Sequence, residues 1–324
     1  MKATAKAHTN IALIKYWGKR NEQLFLPTNS SLSITLDRFY TTTTVEFVEG
    51  EQKDVFYLNG ELANENEQMK ITNYLNLIRD FARVNYHAII HSNNEVPTSA
   101  GFASSASGYA ALAAASVKAL GIETDGKTLS QLARRGSGSA CRSIYGGFVE
   151  WQMGEKEDGS DSYAVPILNE KDWDLSIISV MLETKPKKIL SREGMKRTVE
   201  TSVFYDGWLR TVPNDLAMAK EAIAKRDFEQ LGTILESNAL KMHATTLGAN
   251  PPFLYWHSGT LVVMEAVQEL REEGILAFFT IDAGPNVKVI TLPQDEKKVV
   301  SRLSQLPEVQ HVSICHPGPG VTYL

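Results

Sequence analysis

The chain has 324 residues, 43% of them apolar and 22% charged, the balance of a globular protein with one large domain or two lobes. With 33 basic and 38 acidic residues the formal net charge is −5, so no global field draws the chain to nucleic acid or to an anionic membrane. Two cysteines, Cys141 and Cys315, give neither a metal spacing nor a disulfide framework, and a reducing cytoplasm fits. The first six residues lack an apolar signal core, and no apolar run is long enough to span a bilayer, so a cytoplasmic, membrane-free protein is expected.

In chain order, residues 3–8 alternate weakly as a first strand. Residues 10–20 are an apolar run ending in Tyr16, Trp17, Gly18 and Lys19. That end suits either a buried strand with a solvated tip or a pocket for an anion. Residues 31–39 and 41–48 predict two β-branched strands, and Asn59-Gly60 predicts a hairpin turn. Residues 26–31 are a turn-rich loop. Apolar side chains at helical period cover residues 67–84, and residues 87–91 are a short strand.

Residues 97–121 are the most informative stretch. A small-residue loop becomes an alanine-rich helix, with Ser104 as the expected N-cap and Gly121 at the C-terminal cap. Backbone N–H groups in such a loop approach a ligand closely, and the helix dipole favours an anion such as a nucleotide phosphate. The stretch is not a Walker A loop, because no Gly-Lys-Ser/Thr follows, and it is not a G-x-G-x-x-G fingerprint.

Residues 128–135 predict a short helix. Between 134 and 147 lie four glycines, three serines and the arginines Arg134, Arg135 and Arg142. Small residues with guanidinium groups suit a phosphate or a carboxylate. Residues 148–152 and 175–182 read as strands. A lobe boundary is placed after residue 184, giving lobes 1–184 and 185–324. Helices are expected over 192–225 with a break near Pro213, over 227–247 and over 256–272. Residues 276–315 then read strand, strand, helix, strand, which predicts an α+β fold of ferredoxin-like character.

The loop Pro97-Thr-Ser-Ala-Gly101-Phe-Ala-Ser104-Ser105-Ala106 resembles the phosphate loop of the GHMP superfamily of small-molecule kinases, with Phe102 where leucine is usual. Four further segments resemble the diphosphomevalonate decarboxylase family within it. They are Asn10-Ile-Ala-Leu-Ile-Lys-Tyr-Trp-Gly-Lys19, Ser137-Gly-Ser-Ala-Cys-Arg142-Ser-Ile-Tyr-Gly-Gly-Phe-Val-Glu-Trp151, His243-Ala-Thr-Thr-Leu-Gly-Ala-Asn-Pro-Pro252 and Thr280-Ile-Asp282-Ala-Gly-Pro-Asn286. The resemblance implies a two-lobed GHMP fold, with a ribosomal-protein-type N-terminal lobe and a ferredoxin-like C-terminal lobe. It also implies a reaction of the mevalonate pathway of isoprenoid biosynthesis. ATP and mevalonate 5-diphosphate would give isopentenyl diphosphate, carbon dioxide, phosphate and ADP. Phosphorylation of the tertiary 3-hydroxyl makes a good leaving group, which the electrons of the breaking C–CO₂ bond expel, so no electron-sink cofactor is required.

The resemblance assigns roles by position. Asp282, between an apolar strand and a Gly-Pro turn, would orient or deprotonate the 3-hydroxyl. Tyr16, Trp17, Gly18, Lys19, Ser137, Gly138, Ser139, Ala140, Cys141, Arg142 and Arg192 would hold substrate. Gly101, Ala103, Ser104 and Ser105 would cradle ATP, with Ser92, Asn93 and Lys70 bordering it. Mg²⁺ is expected on the nucleotide, with Ser105 or Ser107 as the candidate protein hydroxyls. His243 and His316 read as structural, and a homodimer is expected from the resemblance alone. Two alternatives stay open: a GHMP kinase that phosphorylates mevalonate or phosphomevalonate without decarboxylation, and a non-catalytic ligand sensor on the same fold.

Overall fold

The computed structural model describes residues 1–95, 104–182 and 189–324. The first sheet has eight strands. They are β1 (Lys2–Ile14), β4 (Ser31–Val48), β5 (Val55–Leu58), β6 (Glu61–Leu62), β7 (His87–Asn94), β8 (Phe148–Trp151), β9 (Ala164–Leu168) and β14 (Thr322–Tyr323). Their order is β14-β1-β4-β7-β5-β6, with β8 and β9 continuing from the start of β4. A small ribbon, β2 (Lys19–Asn21) with β3 (Leu26–Pro27), stands apart.

The two strands expected over 31–39 and 41–48 are one bent strand. Against β1, the register jumps from His8↔Tyr40 to Asn10↔Thr35. The extra residues at the jump bend β4, so its first part pairs with β8 and its second with β7. Sequence alternation persists through such a bend on either side, which makes one strand read as two.

The second sheet is built from β10 (Ser176–Met181), β11 (Ala277–Ile281), β12 (Val287–Thr291) and β13 (His311–Cys315). Its order is β11-β12-β10-β13, antiparallel throughout. Helices α4 (Ser191–Thr201), α5 (Tyr205–Lys225), α6 (Phe228–Leu247) and α7 (Ser258–Glu272) separate β10 from β11, and α8 (Glu296–Ser304) separates β12 from β13. This is the βαββαβ plan of a ferredoxin-like sheet. Sheet membership changes between Leu168 and Ser176, upstream of residue 185.

The expected break at Pro213 is absent, because α5 runs through it and the helices part at residues 202–204. Proline removes one intrahelical N–H there, while buried Trp208, Val212 and Leu216 keep the same face on the core.

Helices α1 (Glu65–Ala82), α2 (Ser104–Ala119) and α3 (Gly126–Gly136) belong to the first sheet's side. The alanines of α2 are buried, most of them with Ala5, Ala7, Val45 and Ile90 of the strands, so the helix axis lies close to the sheet. Ser104 is the first described residue of α2. Gly121 takes positive φ, and the Ile122 N–H closes back on the Val117 carbonyl at 3.1 Å, ending α2 as expected. One of the core clusters joins both sheets: Ile11, Leu13, Ile34 and Phe148 from one side meet Trp208, Leu235, Phe278 and Ile290 from the other. No helix among the described residues is long and apolar enough to cross a membrane.

Candidate active site

A cavity of about 260 Å³ opens at the seam of the two sheets. The chain leaving β1 supplies Lys15, Tyr16 and Trp17, and the chain leaving β11 supplies Asp282. The Lys15 ammonium lies 2.7 Å from Asp282 Oδ1 and 2.9 Å from the Ala12 carbonyl. Burial pushes the Lys15 ammonium below the ordinary lysine range, and the Asp282 charge opposes that shift. The turn after Asp282 is tight, with the Gly284 N–H donating to the Asp282 carbonyl at 2.7 Å. Behind it, His243 Nε2 lies 3.2 Å from the Ile281 carbonyl. Burial and the Lys15 charge push His243 down to about 3, so it is a neutral donor to the strand end.

Arg142 comes from a buried 3-10 helix, Gly138–Ile144, where a loop was expected. Its Nε and Nη2 donate to Asn10 Oδ1 at 3.3 and 3.2 Å, and its Nη1 donates to Ser31. Neutral partners thus hold a cation that is 2% exposed. Of the three arginines between 134 and 147, only Arg142 lines the cavity. Arg134 is spent on the carbonyls of Leu24, Gly159 and Ser162.

Lys19 and Arg192 line the cavity and both stand over the Phe25 ring, at 4.6 and 5.3 Å from its centre. Lys19 also pairs with Glu22 at 2.6 Å. Four cations, Lys15, Lys19, Arg142 and Arg192, and one carboxylate, Asp282, line the cavity among the described residues. Such a balance attracts a polyanion despite the negative net charge of the chain.

Tyr16, Ser137, Gly138 and Ser139 line the same cavity. The Tyr16 hydroxyl is buried and has no hydrogen-bond partner among the described residues. Trp17 lines the cavity with little exposed surface, and its Nε1 donates to Thr198 Oγ1 at 2.8 Å. Gly18, Ala140 and Cys141 do not line it. Gly18 has φ +114°, and the Tyr205 hydroxyl fills the place where a Cβ would stand. Ala140 and Cys141 are fully buried, and burial pushes the Cys141 thiol up to about 12.

A second cavity, about 440 Å³, lies between α1, α2 and β7. Lys70, Ser92, Ser104 and Ser105 line it with the apolar side chains of Phe56, Leu58, Ile71 and Leu112. Asn93 points away, since alternation gives Ser92 and Asn94 to this face. Ser105 lines both cavities, with its Oγ 3.3 Å from Ser137 Oγ. Ser107 is fully buried on Thr41 Oγ1 and the Ser104 carbonyl, leaving its hydroxyl engaged inside. Gly101 and Ala103 lie outside the described residues. Among the described residues, no group of three His, Cys, Asp or Glu side chains could hold a metal ion.

Lys15 and Asn10 carry no role in the sequence reading, although both sit in the quoted segment ending at Lys19. The available signal was a lysine inside an apolar run, which a strand interior tolerates only when it is paired.

A family model for the diphosphomevalonate decarboxylase-like N-terminal domain matches residues 7–164, and one for the mevalonate 5-diphosphate decarboxylase C-terminal domain matches residues 177–316. The chain belongs to the diphosphomevalonate decarboxylase family. It is 39% identical over 320 residues to diphosphomevalonate decarboxylase of Ganoderma lucidum, covering 92% of this chain and 80% of that one. Mevalonate diphosphate decarboxylase from Staphylococcus aureus superposes with a TM-score of 0.95 at 46% identity, covering 100% of this chain and 98% of that one. A structure of MDDEF in complex with MVAPP, AMPPCP and magnesium superposes with a TM-score of 0.93 at 49% identity, covering 100% and 99%.

Proposed function

We propose that this member of the family catalyses the ATP-dependent decarboxylation of mevalonate 5-diphosphate to isopentenyl diphosphate. The observation that carries the reading is the Lys15–Asp282 pair, set in a cavity whose other lining charges are cations. The complex of a 49% identical structure with MVAPP, AMPPCP and magnesium supports the substrate, the nucleotide and the ion.

In this reading Asp282 accepts the proton of the 3-hydroxyl as the hydroxyl oxygen attacks the γ-phosphorus of ATP, breaking the bond to the β,γ-bridging oxygen and releasing ADP. The ammonium of Lys15 aims the carboxylate. Arg142, Arg192 and Lys19 take the carboxylate and diphosphate of the substrate, and Tyr16 offers its hydroxyl. The C–CO₂ electron pair then forms the new double bond and expels the 3-phosphate. Gly18, Ala140 and Cys141 act from behind, by fixing the backbone that presents these groups, and Trp17 forms part of the cavity wall.

The second cavity suits ATP: its apolar side chains would take the base, and Ser104, Ser105, Ser92 and Lys70 would supply polar contacts. Ser105 bridges the cavities, where the γ-phosphate would meet the substrate. A single hydroxyl fits Mg²⁺ held mainly by phosphate oxygens and water, and the ion would offset charge on the transferring phosphoryl group. Gly101 and Ala103 belong to the proposed phosphate loop by sequence resemblance.

Two lobes are part of the same proposal, the first supplying the nucleotide cavity and the second Asp282. A cytoplasmic homodimer is proposed too; family resemblance supports the dimer, and two free, buried cysteines suit a reducing compartment.

Incubation with ATP, Mg²⁺ and mevalonate 5-diphosphate tests the reading. Isopentenyl diphosphate, carbon dioxide and ADP should appear in equal amounts. A phosphorylated product that keeps its carboxyl group would instead identify a plain kinase.

A further inference from the structure

The ladder between β1 and β4 ends at Ile14↔Leu32. The next residue, Lys15, lacks strand partners for its peptide groups, yet they are buried. Two side-chain amides replace the ladder. The Lys15 N–H donates to Asn238 Oδ1 at 2.8 Å, and the Lys15 carbonyl accepts from Asn29 Nδ2 at 2.8 Å. Asn29 belongs to the turn-rich loop, and Asn238 lies on α6, fully buried.

The orientation of Asn238 is dictated from behind. Its Nδ2 donates to Asp215 Oδ2 at 2.8 Å, and both Asp215 oxygens accept from the Lys241 ammonium at 2.9 Å. A carboxylate only accepts, so the amide nitrogen faces it and the amide oxygen faces Lys15. A hydrogen-bonded chain thus runs Lys241, Asp215, Asn238, Lys15, Asp282, from α6 and α5 into the cavity. Neither Asn238 nor Asp215 lines the cavity.

We propose that Asn238 is a positioning residue for the reaction, holding the Lys15 peptide so that its ammonium stays on Asp282. The proposal rests on the reading of Lys15 and Asp282 as the reacting centre. A pinned backbone limits the swing of a long side chain, and misplacement of a reacting group by ~1 Å costs about 10²-fold in rate. Asn238 touches no ligand, so its loss should act on turnover and leave substrate affinity alone.

The test uses the enzyme and four variants. Asn238→Asp sets two carboxylates side by side and disrupts the chain. In the swap, Asn238→Asp with Asp215→Asn, the amide at 215 donates to the carboxylate at 238, which still accepts the Lys15 N–H. Asn238→Asp should lower kcat by about 10-fold or more, with both KM values within about twofold of wild type. The swap should return kcat to within about threefold of wild type. If Asn238→Asp does not fold, Asn238→Ser withdraws the oxygen with less charge and should show the same split. Wild-type kcat in a folded single variant, or a swap that regains Tm without regaining kcat, overturns the proposal. Asp282→Asn is the control: if it still releases carbon dioxide at full rate, the reading of the reacting centre has failed instead.

Discussion

The Lys15 ammonium and the Asp282 carboxylate meet at 2.7 Å from the ends of strands in different sheets, 267 residues apart in the chain. Each is where it is because the other sheet is. The pair therefore reports directly on whether the seam is correctly assembled.

Lys15→Met keeps the length of the side chain and removes its charge. The carboxylate then loses the group that aims it. Turnover should fall at least ~10²-fold, with ATP affinity little changed because Lys15 does not line the second cavity. Steady-state kinetics with separate ATP titration checks this, and normal turnover would reduce Lys15 to a structural lysine.

Asp282→Asn preserves shape and cannot take a proton. Turnover should drop by at least ~10²-fold, with ADP formation and carbon dioxide release falling together. Measuring the two products separately decides the role. A variant that makes ADP and a 3-phosphorylated species at a near-normal rate would move Asp282 to the elimination step.

Arg142→Lys replaces a fork with a point charge. The fork spans Asn10 and Ser31 at once, which a lysine cannot do. The expected loss in kcat/KM corresponds to about 2–5 kcal/mol. Wild-type kinetic constants in the lysine variant would show the guanidinium to be dispensable.

Ser105→Glu puts negative charge at the positive end of α2, where the two cavities meet. ATP binding should weaken strongly while the fold survives. Calorimetric titration of ATP is the measurement, and an unchanged affinity would remove this helix end from the nucleotide site.

His243 links stability to pH. Its value falls from 6.5 to about 3 in the fold, so the unfolded chain binds the proton that the folded one refuses. Its contribution is complete above pH 6.5 and is lost as pH falls from there toward 3. This one group adds a slope of up to about 1.4 kcal/mol per pH unit. Urea unfolding at pH 7 and pH 5 should show the loss, and His243→Gln, which keeps an N–H for the Ile281 carbonyl, should flatten it. Equal slopes in both proteins would assign the pH dependence to other groups.

Much of the site is readable before any coordinates exist. Asp282 ends an apolar strand before a Gly-Pro turn, and Arg142 sits among small residues, so local chemistry marks both. The ferredoxin-like order of 276–315 follows from short alternating segments with clear turns between them. Lys15 is different. Its meaning lies in a partner contributed by the other sheet, and no local pattern carries that. Cys141 and Ala140 share a motif with Arg142, yet the 3-10 turn sends them into the core, because its pitch faces neighbouring residues in different directions. Pro213 misleads for a related reason: tertiary anchoring by Trp208, Val212 and Leu216 outweighs one missing hydrogen bond.

The core that joins the two sheets has a consequence for how the enzyme can move. With Ile11, Leu13 and Ile34 packed among Trp208, Leu235 and Phe278, a hinge between the sheets would have to expose that apolar surface at every opening. Lys15 and Asp282, contributed from opposite sides of that shared core, are therefore brought to 2.7 Å by folding itself.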